Sequence, residues 1–190
     1  MDSRAWKRGA QVREHKGQSL IASLDDYVSV DIETTGLSPR HSSIIELGAV
    51  KVRKGRACDE LSLLINPGFS LPPAITELTG ITDDMLWCAP PIEDVLPFFL
   101  DFLGGDVILG HNVNFDVNFI YDKALALGLS PLANDFVDTM RISRRLYKQH
   151  KHHRLCDLAE RFGVVPDVAH RALADCYTAA ACYECMKVDM

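Results

Sequence analysis

The chain has 190 residues, enough for one domain with a full core. Its 47% hydrophobic and 24% charged residues are ordinary for a globular protein. No apolar run approaches the roughly 20 residues of a membrane span. The N-terminal MDSRAWKRGAQ also lacks the apolar stretch of a secretory signal, so a soluble, cytoplasmic protein is expected. The net charge of −6 argues against tight non-specific binding to long duplex nucleic acid.

Residues 1–25 carry Arg4, Lys7, Arg8, Arg13 and Lys16 with little apolar periodicity. They read as an N-terminal extension, either docked or a basic arm, ahead of a domain over 26–190. Strand patterns then follow closely at Tyr27–Ile32, Ser43–Val52 and Ala57–Ile65. Lys54-Gly55 is the turn of a hairpin between the last two, and Asn66-Pro67-Gly68 is a stop. Ile92–Leu103 has a helical pattern with Pro91 before it, Gly104-Gly105 after it and Pro97 inside it. Asp106–Gly110 reads as a short buried strand, Asn114–Leu127 as a helix closed by Gly128, and Phe136–Asp138 as a last strand. Helices near Met140–Tyr147, Arg154–Phe162 and Arg171–Met186 complete the chain. A three-strand meander followed by alternating strands and helices predicts an α/β fold: a mixed five-stranded sheet flanked by helices.

Of the cysteines at 58, 88, 156, 176, 182 and 185, only Cys182 and Cys185 form a C-x-x-C pair. Half a zinc motif inside a predicted helix reads as small apolar side chains, and the thiols are expected to be reduced.

Three short patterns carry chemistry. In Asp31-Ile32-Glu33, period-two geometry puts both carboxylates on one face at a strand end, where they repel unless a cation lies between them. An Asp-x-Glu arises about once by chance in a chain this long, so alone it says little. Gly110-His111-Asn112-Val113-Asn114-Phe115-Asp116 puts Asp116 at a helix start, favourable for any carboxylate. His111 and Asn112 are loop hydrogen-bonders or orienting groups. In His170-Arg171-Ala172-Leu173-Ala174-Asp175, five helical residues turn the chain about 500°, which leaves the two ends of the motif about 140° apart. They meet at one site only if His170 lies on the loop before the helix, which Pro166–Val168 supply.

Together these patterns resemble the three motifs of the DEDDh 3′–5′ exonucleases, which include the proofreading subunit of DNA polymerase III. Ile45-Glu46-Leu47-Gly48-Ala49, Glu77–Thr82 and His153-Arg154-Leu155 are similar to the exonuclease domain of PolC-type polymerases and its stand-alone relatives. The resemblance runs from about Tyr27 to Met186 with every motif carboxylate present. It implies a ribonuclease H-like sheet and two Mg²⁺ or Mn²⁺ ions on Asp31, Glu33, Asp116 and Asp175, which would bring the net charge to −2. His170 is implied as general base, suited by the ordinary imidazole pKa near 6.5. The implied substrate is a single-stranded DNA 3′ end, cut to 5′-mononucleotides; RNA processing is the alternative, and a catalytically idle binding module the remote one.

By the same resemblance Leu37 wedges against the terminal base, unless it is an ordinary buried leucine. Thr34, Thr35 and Gly36 meet the terminal sugar or phosphate, and His111, Asn112 and Phe115 line the substrate side, although core packing suits Phe115 better. Arg171 approaches a phosphate or is a solvated helix-start residue. The run Lys148–Arg154 reads as a phosphate-contacting loop. A DNA polymerase or another nucleic-acid-processing complex is the expected partner.

Overall fold

The structure, a computed structural model, describes residues 13–165 and 170–190. The expected loop at Pro166–Val168, like Arg4, Lys7 and Arg8, lies outside the described residues. In chain order the elements are β1 (Ser19–Leu20), β2 (Tyr27–Thr34), β3 (Ile44–Arg53), β4 (Arg56–Leu64), α1 (Pro73–Thr79), α2 (Asp83–Trp87), α3 (Ile92–Leu103) and β5 (Ile108–Gly110). Then come α4 (Asn114–Ala126), β6 (Phe136–Asp138), α5 (Thr139–Leu146), α6 (Leu155–Phe162) and α7 (Ala172–Met186).

One mixed sheet has the order β1-β6-β5-β2-β3-β4. The strand β2 sits inside it, antiparallel to β3 and parallel to β5. Alternation along β2 sends Val28, Val30 and Ile32 into a core shared with Val95, Leu96 and Phe99 of α3 and Val117 and Ile120 of α4. The opposite face carries Tyr27, packed with Ile142, Leu158, Cys176 and Tyr183 of α5, α6 and α7. On that face the Ser29 hydroxyl donates to the Cys176 carbonyl at 2.8 Å. With helices on both sides, β2 is buried along most of its length, and only its polar end reaches solvent.

The β3–β4 hairpin closes through Lys54 (φ 52°) and Gly55 (φ 69°), the two consecutive left-handed residues that a tight two-residue turn demands. Lys54 holds that conformation because its N–H donates to the Asp26 carboxylate at 2.8 Å. Despite Pro97, α3 runs through to Leu103.

The sheet has six strands rather than five. The sixth, β1, lies parallel to β6 and is recruited by its neighbour: Phe136 N–H donates to Gln18 O at 2.9 Å, and Gln18 N–H to Asp135 Oδ1 at 2.7 Å. Upstream, the Arg13 guanidinium grips Asp122 at 2.8 and 2.7 Å, and Lys16 donates to Asn118 of α4 at 2.7 Å. The described part of the N-terminal segment is therefore docked. No helix among the described residues is long and apolar enough to cross a membrane.

The approach of α7 to the sheet is set by one residue. A Cβ on Gly48 would stand 2.5 Å from the Ala172 carbonyl carbon and 2.7 Å from Leu173 N, both backbone atoms that have no rotamer to escape into. Gly48→Ala is expected to push α7 off β3, with the cost of about 1–3 kcal/mol usual for overpacking. A lower urea midpoint with unchanged secondary structure by circular dichroism checks it.

Candidate active site

Asp31 and Glu33 lie at the C-terminal end of β2, on the face turned to α7, with Gly48 and Glu46 of β3 directly opposite them. Asp116 comes from the other side of the sheet. It is buried in the first turn of α4, and its Oδ1 accepts the Ile32 N–H at 3.2 Å, which draws the carboxylate over the strand end between Asp31 and Glu33. Asp175 lies in the first turn of α7 and accepts a hydrogen bond from the His170 backbone. His170 stands outside that helix with φ 59°, a left-handed conformation that histidine adopts more readily than most residues. One ligating atom each from Glu33, His170 and Asp175 lie within 4.8 Å of one another. The helical separation of His170 and Asp175 is thus cancelled by placing His170 before the helix.

These carboxylates do not sit comfortably as a group of anions. Burial first, then Asp116, Asp175, Glu33 and Glu46, hold Asp31 well above the usual carboxylate range. Burial, with Asp175 and Glu46, pushes Glu33 up to about 7, against an opposing pull from Arg171. Asp116 is raised by burial even though backbone N–H groups favour its anion. Asp175 is raised by burial, with His170 opposing. A partly buried cluster of oxygen donors with unspent negative charge matches the chemistry of hard divalent cations, Mg²⁺ or Mn²⁺.

One buried acid is compensated, and the sequence alone concealed its role. Glu46 is fully buried, and Arg171 meets its carboxylate with Nη2 at 2.7 Å and Nε at 3.2 Å, while the Ala172 N–H donates to Oε2 at 3.0 Å. This forked pair ties the start of α7, and with it His170 and Asp175, to the strand opposite Glu33. Arg171 is therefore committed to Glu46 while part of its side chain remains exposed. The signal that would have found the pair, Glu46 facing Glu33 across a β ladder, needs the strand register.

The remaining expected residues surround this centre in different ways. Thr34 Oγ1 donates to Gly36 O at 2.7 Å, and Thr35 Oγ1 accepts the Ser43 N–H at 2.9 Å, so both hydroxyls build the turn. A Cβ on Gly36 would lie 2.8 Å from Ser42 Oγ. From that turn Leu37 projects 88% exposed, which removes the reading as a buried leucine. Asn112 takes φ 59°, and its N–H donates to Asp138 Oδ1 at 2.9 Å. His111 Nδ1 lies 2.9 Å from Thr139 Oγ1, and burial lowers its pKa against an opposing pull from Asp138. Phe115 packs against Phe119 (ring centroids 4.7 Å apart) at the margin of the core. Of the C-x-x-C pair, Cys182 is buried and Cys185 exposed.

Two outcomes follow from this electrostatic arrangement. The folded chain holds the Glu33 proton with a pKa of about 7 against an ordinary 4.5. Folding is therefore favoured below about 4.5, and that advantage is lost as pH rises to 7. In EDTA, the urea midpoint is expected to fall between pH 5 and pH 7.5; a midpoint that rises would contradict the assigned environment. Glu46→Ala leaves the Ala172 N–H and the partly exposed Arg171 without their acceptor, for an expected loss of about 1–3 kcal/mol. Thermal melting measures it.

Comparison with known proteins places the chain. Residues 28–183 match the family model of the RNase T exonucleases, described as exonuclease. The chain is 45% identical over 159 residues to the PolC-type DNA polymerase III of Caldanaerobacter subterraneus subsp. tengcongensis, covering 84% of this chain and 11% of that protein. To the Bacillus subtilis PolC-type enzyme it is 41% identical over 167 residues, 86% of this chain and again 11% of the relative. The chain thus spans about a ninth of the length of these curated relatives. Among solved structures, Exonuclease X in complex with 5′ overhanging duplex DNA aligns with a TM-score of 0.69 and 27% identity, over 84% of this chain and 90% of that one. The Escherichia coli Exonuclease I complex with a dA16 oligonucleotide aligns at TM-score 0.76 and 18% identity, over 88% of this chain and 42% of that one, a likeness of fold alone. With a ribonuclease H-like sheet and a family match over most of its length, the chain belongs to the RNase T exonuclease family.

Proposed function

We propose that the chain hydrolyses phosphodiester bonds from the 3′ end of DNA, preferring single-stranded or frayed ends, and releases 5′-mononucleotides. The observation that carries this reading is the convergence of Asp31, Glu33, Asp116 and Asp175 at one strand end, with His170 beside Glu33 and Asp175. DNA rather than RNA is favoured by the PolC-type relatives and by the duplex DNA held by Exonuclease X. The same relatives make a DNA polymerase the natural partner.

In this reading the four carboxylates hold two divalent ions, Mg²⁺ or Mn²⁺, and their all-oxygen donor set suits such ions better than softer metals. When bound, the ions supply positive charge to both the attacking and the leaving oxygen of an in-line displacement. His170 accepts the proton of the attacking water at an imidazole nitrogen. Glu46 and Arg171 act one step back, fixing the backbone on which His170 and Asp175 are mounted. Leu37 lies against the terminal base, the backbone of Thr34–Gly36 faces the terminal sugar and phosphate, and His111, Asn112 and Phe115 shape the wall beside Asp116.

The direct test is a gel of 3′- and 5′-labelled single-stranded DNA and RNA with Mg²⁺, Mn²⁺ or EDTA. Stepwise 3′ shortening of DNA, stopped by EDTA, is expected; faster loss of RNA would transfer the substrate to RNA. Asp31→Ala and Asp175→Ala are each expected to abolish nearly all hydrolysis without unfolding the chain, and parental activity in either would overturn the assignment. His170→Ala is expected to lower the single-turnover rate by about 10²–10⁴ while keeping the Mn²⁺-induced rise in melting temperature. Loss of that rise would make His170 a ligand instead.

A further inference from the structure

Outside the carboxylate centre, the strongest unassigned feature is the distribution of positive charge. Residues 139–156 contain six Lys and Arg and no Asp or Glu, whereas the rest of the chain has 14 cationic against 26 acidic residues, a net −12. Surfaces ordinarily intersperse the two signs. On α5, Ile142 and Ser143 are buried, and Arg141, Arg144 and Arg145 all fall on the opposite, exposed side at helical spacing. Lys148 and Lys151, in the turn that follows, are exposed as well, Lys151 at the edge of a depression it shares with Asp157, Glu160 and Arg161. Arg141 is tethered to Ser19 O and Oγ at 3.0 and 2.7 Å. Arg144, Arg145, Lys148 and Lys151 have no carboxylate partner among the described residues.

This row is joined to the site at its upper end. The helix start is capped by Asp138, which also accepts the Asn112 N–H, and Thr139 meets the His111 ring. The turn after α5 is held back against the helix by His153, whose Nδ1 lies 2.8 Å from Ser143 Oγ and whose Nε2 lies 3.0 Å from His150 O. Tyr147 packs on Phe162 with the Arg161 guanidinium 5.3 Å from its ring. The cations are thus mounted on a packed element that begins at the wall of the site.

We propose that the face formed by Arg144, Arg145, Lys148 and Lys151 is the track for the sugar-phosphate backbone of the single strand leading into the site. The inference rests on the exonuclease reading and adds where the rest of the strand lies. Charge complementarity selects this occupant: a polyanion approaching a chain with an acidic remainder is attracted only where unpaired cations stand close together, within a Debye length of about 10 Å at 0.1 M salt. Contacts to phosphates carry no base information, so the track serves any sequence.

The test is fluorescence anisotropy of labelled dT20 and dT3, each protected by phosphorothioates at the 3′ terminus, in Mg²⁺ across a salt series. The triple variant Arg145→Gln, Lys148→Gln, Lys151→Gln is compared with the parent. Each lost phosphate contact is expected to lower the slope of log affinity against log salt by about 0.7, about 2 in all. Binding of dT20 is expected to weaken about tenfold or more at low salt, with dT3 little changed. The double variant Lys148→Gln, Lys151→Gln, outside the helix, gives the same readout with a slope change of about 1.4 if the triple variant melts early. Unchanged affinity and slope for dT20, or an equal loss for dT3, overturns the track. Poly-glutamate displacing dT20 as well as unlabelled dT20 does also overturns it, and reassigns the face to an acidic protein. If the parent fails to shorten unmodified dT20 while the binding differences hold, the hydrolytic reading fails and the track stands.

Discussion

Mutual repulsion among carboxylates is the constraint around which this molecule is organised. Asp31, Glu33, Asp116 and Asp175 come from one strand and two helices on opposite faces of the sheet, and each is pushed above its ordinary pKa by burial and, to a lesser degree, by at least one acid nearby. Left to themselves such groups would move apart or stay protonated. They are kept together because each is anchored through its backbone: the interior strand β2, the first turn of α4 and the first turn of α7. The hydrogen bond from Ile32 N–H to Asp116 adds a stitch between two of them. The stability of the fold is thereby set against a local arrangement that favours a cation.

The anchoring of α7 shows how that opposition is managed. Its start must approach β3 closely, and Gly48 permits the approach by having no side chain. Two residues away, the buried Glu46 would add a fifth repelling charge, yet Arg171 neutralises it with a forked contact and Ala172 N–H takes one of its oxygens. The same acid that threatens the cluster therefore becomes its brace, fixing the turn that carries His170. Breaking such a pair by removing one partner costs far more than the pair itself contributes, so its presence reads as positioning rather than as a source of stability.

Much of this was legible in the sequence because period-two patterns and three spaced motifs do not depend on distant contacts. The strands β2, β3 and β4, the Lys54-Gly55 turn, and α3 to α7 lie within about two residues of where their patterns put them. The elements that escaped are short or borrowed. The helices α1 and α2 have seven and five residues, too few for a helical period to register, and are marked only by the prolines and Thr82 at their starts. The two-residue β1 exists because β6 offers it an edge. Leu37 and Arg171 were open for the same reason: solvent exposure and cross-strand register are properties of the assembled sheet, and nothing in the neighbouring residues encodes them.

Charge gives the last step. A net of −6 averages two opposed regions, an acidic body with its carboxylate centre and an acid-free stretch from Thr139 to Cys156. The average alone argues against a polyanionic ligand, and the distribution argues for one, because electrostatic attraction acts locally and is screened within about 10 Å. The packing of α5 explains why the two regions stay distinct. Its inward side is committed to Thr139, Ile142 and Ser143, so every arginine on it must face outward, away from the acids that would otherwise pair with it. The strip of exposed cations is thus a consequence of the same helix whose first residues brace the loop of His111 and Asn112.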